Sequence, residues 1–254
     1  LCGKDRIHPS TDGHLVMAYL FLKAQGLAGK PVADIRIDGA GKKVTRSDNC
    51  RVSDLSVSSD NLTFTYEAKS LPYPIDTSYY DNEKHTQADA LSVISFMDEM
   101  NYEGLSVSGL SDGYYGLTIG GEFIGRFTAR ELERGINMAL LQNTPQYKQA
   151  MKIRQMNEER WLKERKMREF YWVEYNLMRK TGMLWACDEA AVDTLRKYRP
   201  HDIFLQWNGD LWLQYMHKGI REDCVNEQQN LVDRIYEQNK PIPLRIEIKK
   251  FTDL

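Results

Sequence analysis

An aspartate and a histidine near the start of the sequence have the types and spacing of an acid–base pair. Asp5 precedes His8 by three positions, and Pro9 follows directly. A histidine that takes a proton from a nucleophile needs a carboxylate on its other ring nitrogen, which fixes the tautomer and stabilises the imidazolium. Because proline restricts the residue before it to extended conformations, His8 should present its ring from a stiff loop. The spacing alone also suits a structural hydrogen bond at the start of a helix.

Other residue types that could support chemistry lack suitable neighbours. Ser10 is only two residues after His8, which favours a turn residue over a nucleophile. Residues 111–113, Ser-Asp-Gly, are typical of a hairpin tip. His85, His201 and His217 have no partners at metal-ligand spacing, so we expect neither a metal site nor a cofactor.

The element that would position His8 is an apolar helix. Residues 15–22 are almost continuously apolar, and Gly26 is well placed as the glycine that ends the helix. Such a surface must be buried against something larger. The run is too short to cross a bilayer, for which about 20 residues are needed, so it predicts a core helix and no membrane span.

The next part of the sequence has the two-residue period of strands. Apolar residues alternate in three stretches, residues 33–37, 62–66 and 115–119, and the pair Gly120-Gly121 predicts a hairpin turn. Residues 72–88 lack a period and predict a surface loop. Residues 244–248 alternate again, so we expect a final strand added to the same sheet or sandwich.

Helix signals dominate between the strands and the end of the chain. Thr128 and Glu131 form a capping-box pattern, which predicts the start of a helix. The apolar stripe of this helix continues to Leu140. Thr144-Pro145 predicts the start of a second helix, a long one that ends at Gly182. Shorter helices are predicted from residues 187–189 to before Pro200, and from about Asp210 to before Pro241.

The composition excludes several classes of protein. The 254 residues can bury a sizeable core, and the net charge of −2 gives no electrostatic reason to expect a nucleic-acid partner. The basic residues between 152 and 168 are interspersed with glutamates, as on a solvated helix face. The four cysteines lie far apart and form no C-x-x-C pair.

A longer string around the acid–base pair resembles a known family. Residues 5–18, DRIHPSTDGHLVMA, resemble the last sequence block of SGNH/GDSL hydrolases, in which D-x-x-H-P precedes G-H and a hydrophobic helix. The resemblance implies that Asp5 is the triad acid, that His8 is the general base, and that the fold is a flavodoxin-like α/β sandwich. Residues 113–122, 127–139 and 143–150 are similar to the accessory region of a bacterial subgroup.

The sequence departs from the family at the nucleophile. The family's G-D-S serine and the glycine and asparagine of its oxyanion hole precede the Asp-His block, and only four residues precede Asp5 here. The resemblance therefore implies a C-terminal part, with the serine in an upstream hydrolase segment. We expect an α/β fragment over residues 1–30, the last loop and helix of a flavodoxin-like SGNH hydrolase sandwich. An antiparallel β-rich accessory module over 31–127 and a helical extension with a final strand over 128–254 would follow.

The resemblance also implies an activity. It is that of a serine esterase that hydrolyses carboxylic esters, with acylated carbohydrate or another small ester as substrate and export to the periplasm or the exterior. The alternative is a non-catalytic β-plus-helix module that binds carbohydrate or protein, in which the Asp5–His8 loop is a remnant.

Overall fold

Two β-sheets with a shared apolar core organise the larger part of the chain. The structure is a computed structural model that describes residues 1–3, 5–78 and 85–251. Its strands are β1 Ala33–Asp38, β2 Lys43–Asp48, β3 Cys50–Val57, β4 Asn61–Ala68, β5 Glu103–Ser108, β6 Tyr114–Ile119, β7 Glu122–Thr128, β8 Ile136–Asn137 and β9 Leu244–Lys250. Its α-helices are α1 Thr11–Ala24, α2 Phe96–Glu99, α3 Ala129–Arg134, α4 Pro145–Val173, α5 Glu189–Tyr198, α6 Ile203–Tyr215 and α7 Lys218–Gln238.

The two sheets differ in topology. The five-stranded sheet has the order β3-β4-β9-β6-β7 and is antiparallel throughout. The four-stranded sheet has the order β2-β1-β5-β8, and β1 pairs with β5 in parallel. The β region is therefore partly mixed rather than antiparallel as expected. A parallel pair requires a long crossover, which the chain between β1 and β5 provides.

Alternating apolar residues on the strands build the shared core. Ile35, Leu105, Phe64, Leu117 and Ile246 are completely buried representatives from five strands. The predicted strands at 33–37, 62–66, 115–119 and 244–248 are all present, and β9 joins the five-stranded sheet at its centre. The predicted hairpin joins β6 and β7, with positive φ angles of 59° and 84° at its two glycines.

Two predictions need correction, one about the length of a helix and one about a turn. Thr128 and Glu131 form the predicted capping box, but α3 ends at Arg134 because Gly135 takes a φ of 93° and the next residues pair with β5. The Ser-Asp-Gly turn at 111–113 is not a hairpin tip. It links β5 to β6, which lie in different sheets.

Helix α1 is buried on one side only. Leu15 and Tyr19 pack with Ile75, Ala90 and Phe96 in a small core of their own. Part of this cover is the 3-10 helix Gln87–Ser92, where the sequence predicts a surface loop. The remainder of that loop prediction includes residues 79–84, which lie outside the described residues. Three large side chains of the opposite face are more than half exposed: Met17, Leu20 and Phe21.

The helical part of the chain follows the predicted signals closely at its start. Helix α4 begins at Pro145 and continues through a π-helical turn, Glu174–Met178, before Gly182 ends the segment with a φ of 74°. Asp188 caps α5 as its side chain accepts a hydrogen bond from the Ala191 backbone (3.0 Å).

The helix predicted from Asp210 to Pro241 is two helices. Asp202 caps α6 eight residues earlier than predicted, with hydrogen bonds from the backbone of Phe204 and Leu205. The break before α7 has a side-chain cause that no local pattern predicts. Arg221 donates to the carbonyls of Tyr215 (2.6 Å) and Met216 (2.7 Å), where α6 ends.

The chain divides into two units by its internal contacts. The β-sandwich unit comprises Leu1–Lys152 and Asn239–Leu254, and the helical unit comprises Ile153–Gln238. The borders predicted at residues 30 and 127 both fall within the first unit. In the described ranges, no helix combines the length and hydrophobicity that a bilayer span requires.

A buried carboxyl lies within the sandwich unit. Glu103 is completely inaccessible, and it accepts hydrogen bonds from the Tyr66 hydroxyl (2.8 Å) and from Nε2 of Gln146 (3.2 Å). Burial raises the pKa of Glu103 to about 7, although the two hydrogen bonds oppose the change. Between pH 4.5 and about 7, Glu103 therefore keeps its proton in the folded protein and loses it in the unfolded chain.

We predict that the buried and exposed faces of α1 respond differently to the same truncation. Leu15 is 5% exposed and Leu20 is 55% exposed. Leu15→Ala should reduce the free energy of unfolding by about 2–5 kcal/mol because it leaves a cavity. Leu20→Ala should change it by roughly 0.5 kcal/mol or less. Urea unfolding of the 254-residue chain measures both, and equal losses would contradict the arrangement of α1.

We also predict a pH-dependent stability that depends on Glu103. Its carboxyl titrates near its ordinary value of 4.5 in the unfolded chain and near about 7 in the folded one. Between these values only the folded state holds the proton, so the contribution of Glu103 to stability is greatest below pH 4.5 and is lost as the pH rises to about 7. The loss should be roughly 3 kcal/mol.

Glu103→Gln should abolish this component, because an amide has no proton to lose in this range. Urea unfolding at two pH values, one on each side of the titration, gives the difference between wild type and variant. Glu133→Gln, at an exposed glutamate, is the matched control. An unchanged pH dependence in Glu103→Gln would show that another group is responsible.

Candidate functional site

The segment before α1 folds back on itself and fixes the backbone around His8. The Gly3 N–H donates to the His8 carbonyl (2.8 Å), and the Arg6 N–H donates to the Gly3 carbonyl (3.0 Å). Cys2 and Pro9 form a bridge between the two arms of this loop. Arg6 takes a φ of 60°, which is uncommon for a residue with a side chain. The loop is thus closed and held by its own backbone.

The loop brings Asp5 and His8 into direct contact. Oδ2 of Asp5 lies 2.6 Å from Nδ1 of His8, a short hydrogen bond. Oδ1 of the same carboxylate accepts the backbone N–H groups of Ile7 (3.0 Å) and His8 (3.1 Å). The carboxylate is therefore held by three donors, and it can orient the imidazole as the sequence predicts.

The same contacts keep Asp5 ionised. The His8 side chain, followed by the backbone N–H groups of Ile7 and His8, holds the pKa of Asp5 far below its ordinary value. An ionised carboxylate on Nδ1 favours the tautomer that carries its proton there, which leaves Nε2 as the acceptor. This is the arrangement that a general base needs.

The second ring nitrogen of His8 is free. The side chain is 82% exposed, and Nε2 makes no hydrogen bond within the described part of the chain. In triad chemistry this nitrogen faces the nucleophile. The structure therefore contains an oriented imidazole whose Nε2 is open to a further partner.

Ser10 does not fill that position. It is 5% exposed at the N-cap of α1, and its hydroxyl is hydrogen-bonded to the Asp12 carboxylate. The Gly13 N–H donates to the same carboxylate (2.8 Å). Burial opposes ionisation of Asp12, but these hydrogen bonds prevail and lower its pKa. Ser10 is a structural residue, in agreement with the sequence interpretation.

Asp12 and Gly13 have roles that sequence reasoning missed. Asp12 lies in the first turn of α1 and is 4% exposed. A Cβ on Gly13 would lie 2.0 Å from the Leu1 carbonyl oxygen, so only glycine allows the first strand of the loop to pass over the helix. Gly13 is therefore required for this close approach.

Another serine has a polar environment of its own. Ser111 Oγ accepts from Lys250 Nζ (2.8 Å) and lies 3.1 Å from the Tyr115 hydroxyl. It is an exposed turn residue, and no contact joins it to His8 in the described residues. Within the same ranges, no group of three His, Cys, Asp or Glu side chains is placed to hold a metal ion.

Two comparisons relate the chain to known proteins. Residues 151–240 match a sequence family described as the diltiazem deacetylase C-terminal helical domain. A solved structure described as a gut microbial diltiazem-metabolizing enzyme superposes with a TM-score of 0.92 at 41% sequence identity. Among curated protein sequences, none matches.

The extent of the two matches differs. The family match corresponds closely to the helical unit and does not include Asp5 or His8. The structural match covers 99% of this chain, and therefore most of the sandwich unit too, but only 57% of the other chain. The chain thus spans little more than half the length of that relative. The family description names a deacetylase and the structure's description a diltiazem-metabolizing enzyme, which together suggest a hydrolase of esterase type.

We predict that the 254-residue chain alone lacks esterase activity, because no nucleophile among the described residues lies beside Nε2 of His8. Hydrolysis of p-nitrophenyl acetate should proceed at the same rate in wild type and in His8→Ala. His14→Ala, at another exposed histidine, measures the background reaction of an imidazole in water. A rate that falls in His8→Ala but not in His14→Ala would contradict the prediction.

Proposed function

We propose that this chain is the C-terminal part of a serine esterase of the SGNH/GDSL type, in which Asp5 and His8 are the acid and base of a Ser-His-Asp triad. The observation that carries the proposal is the 2.6 Å contact between Asp5 Oδ2 and His8 Nδ1, with Nε2 of the same ring unpartnered. The matched family, described by a deacetylase, supports ester hydrolysis as the reaction class, and the related structure is described as an enzyme that metabolizes the same compound.

The proposed reaction is acyl transfer in two steps. A serine hydroxyl from the upstream hydrolase segment loses its proton to His8 Nε2 and attacks the ester carbonyl. His8 returns that proton to the leaving alcohol, and an acyl-enzyme remains. Water then attacks the acyl-enzyme. His8 takes a proton from this water and returns it to the serine oxygen as the carboxylic acid leaves. Asp5 stays ionised throughout and stabilises the imidazolium.

The exposed face of α1 supports the need for an upstream segment. Met17, Leu20 and Phe21 are 57%, 55% and 64% exposed, and they form a continuous apolar strip beside the catalytic loop. We propose that residues 1–30 complete a flavodoxin-like α/β sandwich whose other elements cover this strip. The greater length of the related structure is consistent with such a segment.

The substrate class follows from the resemblance and the related proteins' descriptions. We propose a small ester, with an acetyl group as the acyl part, because the matched family is described as a diltiazem deacetylase domain. Acylated carbohydrate remains within this class. An exported location is proposed on the family resemblance alone.

A second candidate function is supported by an exposed aromatic group on the five-stranded sheet. Tyr114, Phe123 and Phe251 are 49%, 60% and 43% exposed, and the Arg126 guanidinium lies 3.8 Å from the centre of the Tyr114 ring. Exposed aromatic rings with a cation beside them suit carbohydrate or protein binding. If the chain is a binding module, His8 variants should leave function intact.

We predict large kinetic effects from the pair in the natural polypeptide that contains this sequence. His8→Ala should lower kcat for an acetyl ester by about 10⁴-fold or more, because the base is lost. Asp5→Asn should have a similar or smaller effect, by favouring the wrong tautomer. Steady-state kinetics of both variants measure this, and His14→Ala should retain normal turnover. Near-normal turnover in His8→Ala would overturn the assignment.

A further inference from the structure

A cavity in the helical unit lies beside the π-helical turn. It has a volume of about 380 Å³ and extends from the turn Glu174–Met178 to the start of α6. A π-helical turn in a long helix is often found at a functional site. The size is within the range of small-molecule sites. None of the residues that line it belongs to the proposed catalytic pair.

The walls of the cavity are largely apolar. Trp172, Leu177, Tyr198 and Leu205 contribute rings and aliphatic surface. The Phe204 ring lies 5.2 Å from the Trp172 ring at an angle of 34° and holds it in place. These walls suit a flat and mainly apolar molecule.

Three polar side chains of the lining already form hydrogen bonds within the protein. The Asn176 amide donates to the Trp172 carbonyl (2.9 Å), and the Thr181 hydroxyl donates to the Leu177 carbonyl (3.0 Å). Asp202 accepts two backbone N–H groups at the start of α6. The Asp202 carboxylate is thus held against the N-terminus of α6, whose partial positive charge offsets part of its negative charge.

Lys180 is the cationic side chain of the lining, beside an indole N–H and an imidazole. Within the described ranges, Lys180 Nζ forms no ion pair or hydrogen bond, and the Trp172 indole N–H and the His201 ring also lack partners. An unpaired ammonium beside an apolar wall favours a ligand that brings a negative charge. A sugar would bring several hydroxyl groups, and the engaged side chains could not pair with them.

We propose that this cavity binds a flat, mostly apolar organic anion, of which an aromatic carboxylate is the simplest example. The ring packs against Trp172 and Leu205, and the carboxylate accepts from Lys180. This binding goes beyond the proposed ester hydrolysis and does not depend on Asp5 or His8. It gives the helical unit a function of its own.

Isothermal titration calorimetry of the natural polypeptide with 2-naphthoate tests the proposal. Lys180→Met keeps the aliphatic stem and removes the charge, and it should weaken binding about tenfold, the usual effect of losing a charged hydrogen bond. Lys166→Met, at an exposed lysine outside the cavity, should bind as wild type does. The neutral analogue 2-naphthamide should bind more weakly than 2-naphthoate to wild type, and equally to wild type and Lys180→Met.

The outcomes separate the alternatives. Tenfold weaker binding of 2-naphthoate to Lys180→Met alone supports the anion site. No binding of 2-naphthoate at about 5 mM, or equal affinity in wild type and Lys180→Met, overturns it. Because His8→Ala should leave the affinity unchanged, a failure of the esterase proposal is distinguishable from a failure of this one.

Discussion

The pairing of β9 with β4 and β6 is the constraint on which the rest of the structure depends. β9 lies at the centre of the five-stranded sheet, and its Ile246 and Ile248 are completely buried in the shared core. The chain must therefore return to the sandwich after the whole helical unit. The Gln149 side chain donates to the Lys240 carbonyl (2.8 Å), which links the two connections. The helical unit is therefore an insertion in the sandwich unit, which supplies the chain on both sides of it.

Local signals predicted the elements, and non-local contacts decided their limits. Pro145, Gly182 and the glycine pair in the β6–β7 turn act through their own backbone angles, so the sequence was sufficient there. The end of α3 coincides with the pairing of Ile136 with Leu105 of β5, which is distant in the chain. The parallel β1–β5 pair joins segments far apart in the chain, and no local period specifies such a partner.

The same distinction applies to the candidate site. Asp5 and His8 interact within one short loop, and for that reason their spacing predicted the contact. The engagement of Ser10 by Asp12 is also local, but a buried aspartate cannot be recognised from its neighbours alone. The cavity beside Trp172 is formed by α4, the π-helical turn and α6 together.

The central place of β9 has a consequence for the order of folding during synthesis. When β6 leaves the ribosome, the edge that β9 will cover is open, and it remains open until the 86-residue span Ile153–Gln238 has been made. Helices form through local contacts, and local contacts form faster than distant ones. The helical unit can therefore fold before β9 completes the five-stranded sheet. During this interval β4 and β6 expose unpaired backbone groups beside apolar side chains, the condition in which nascent chains associate with one another. A cell that makes this protein therefore has reason to protect the sandwich with a chaperone until its last central strand arrives.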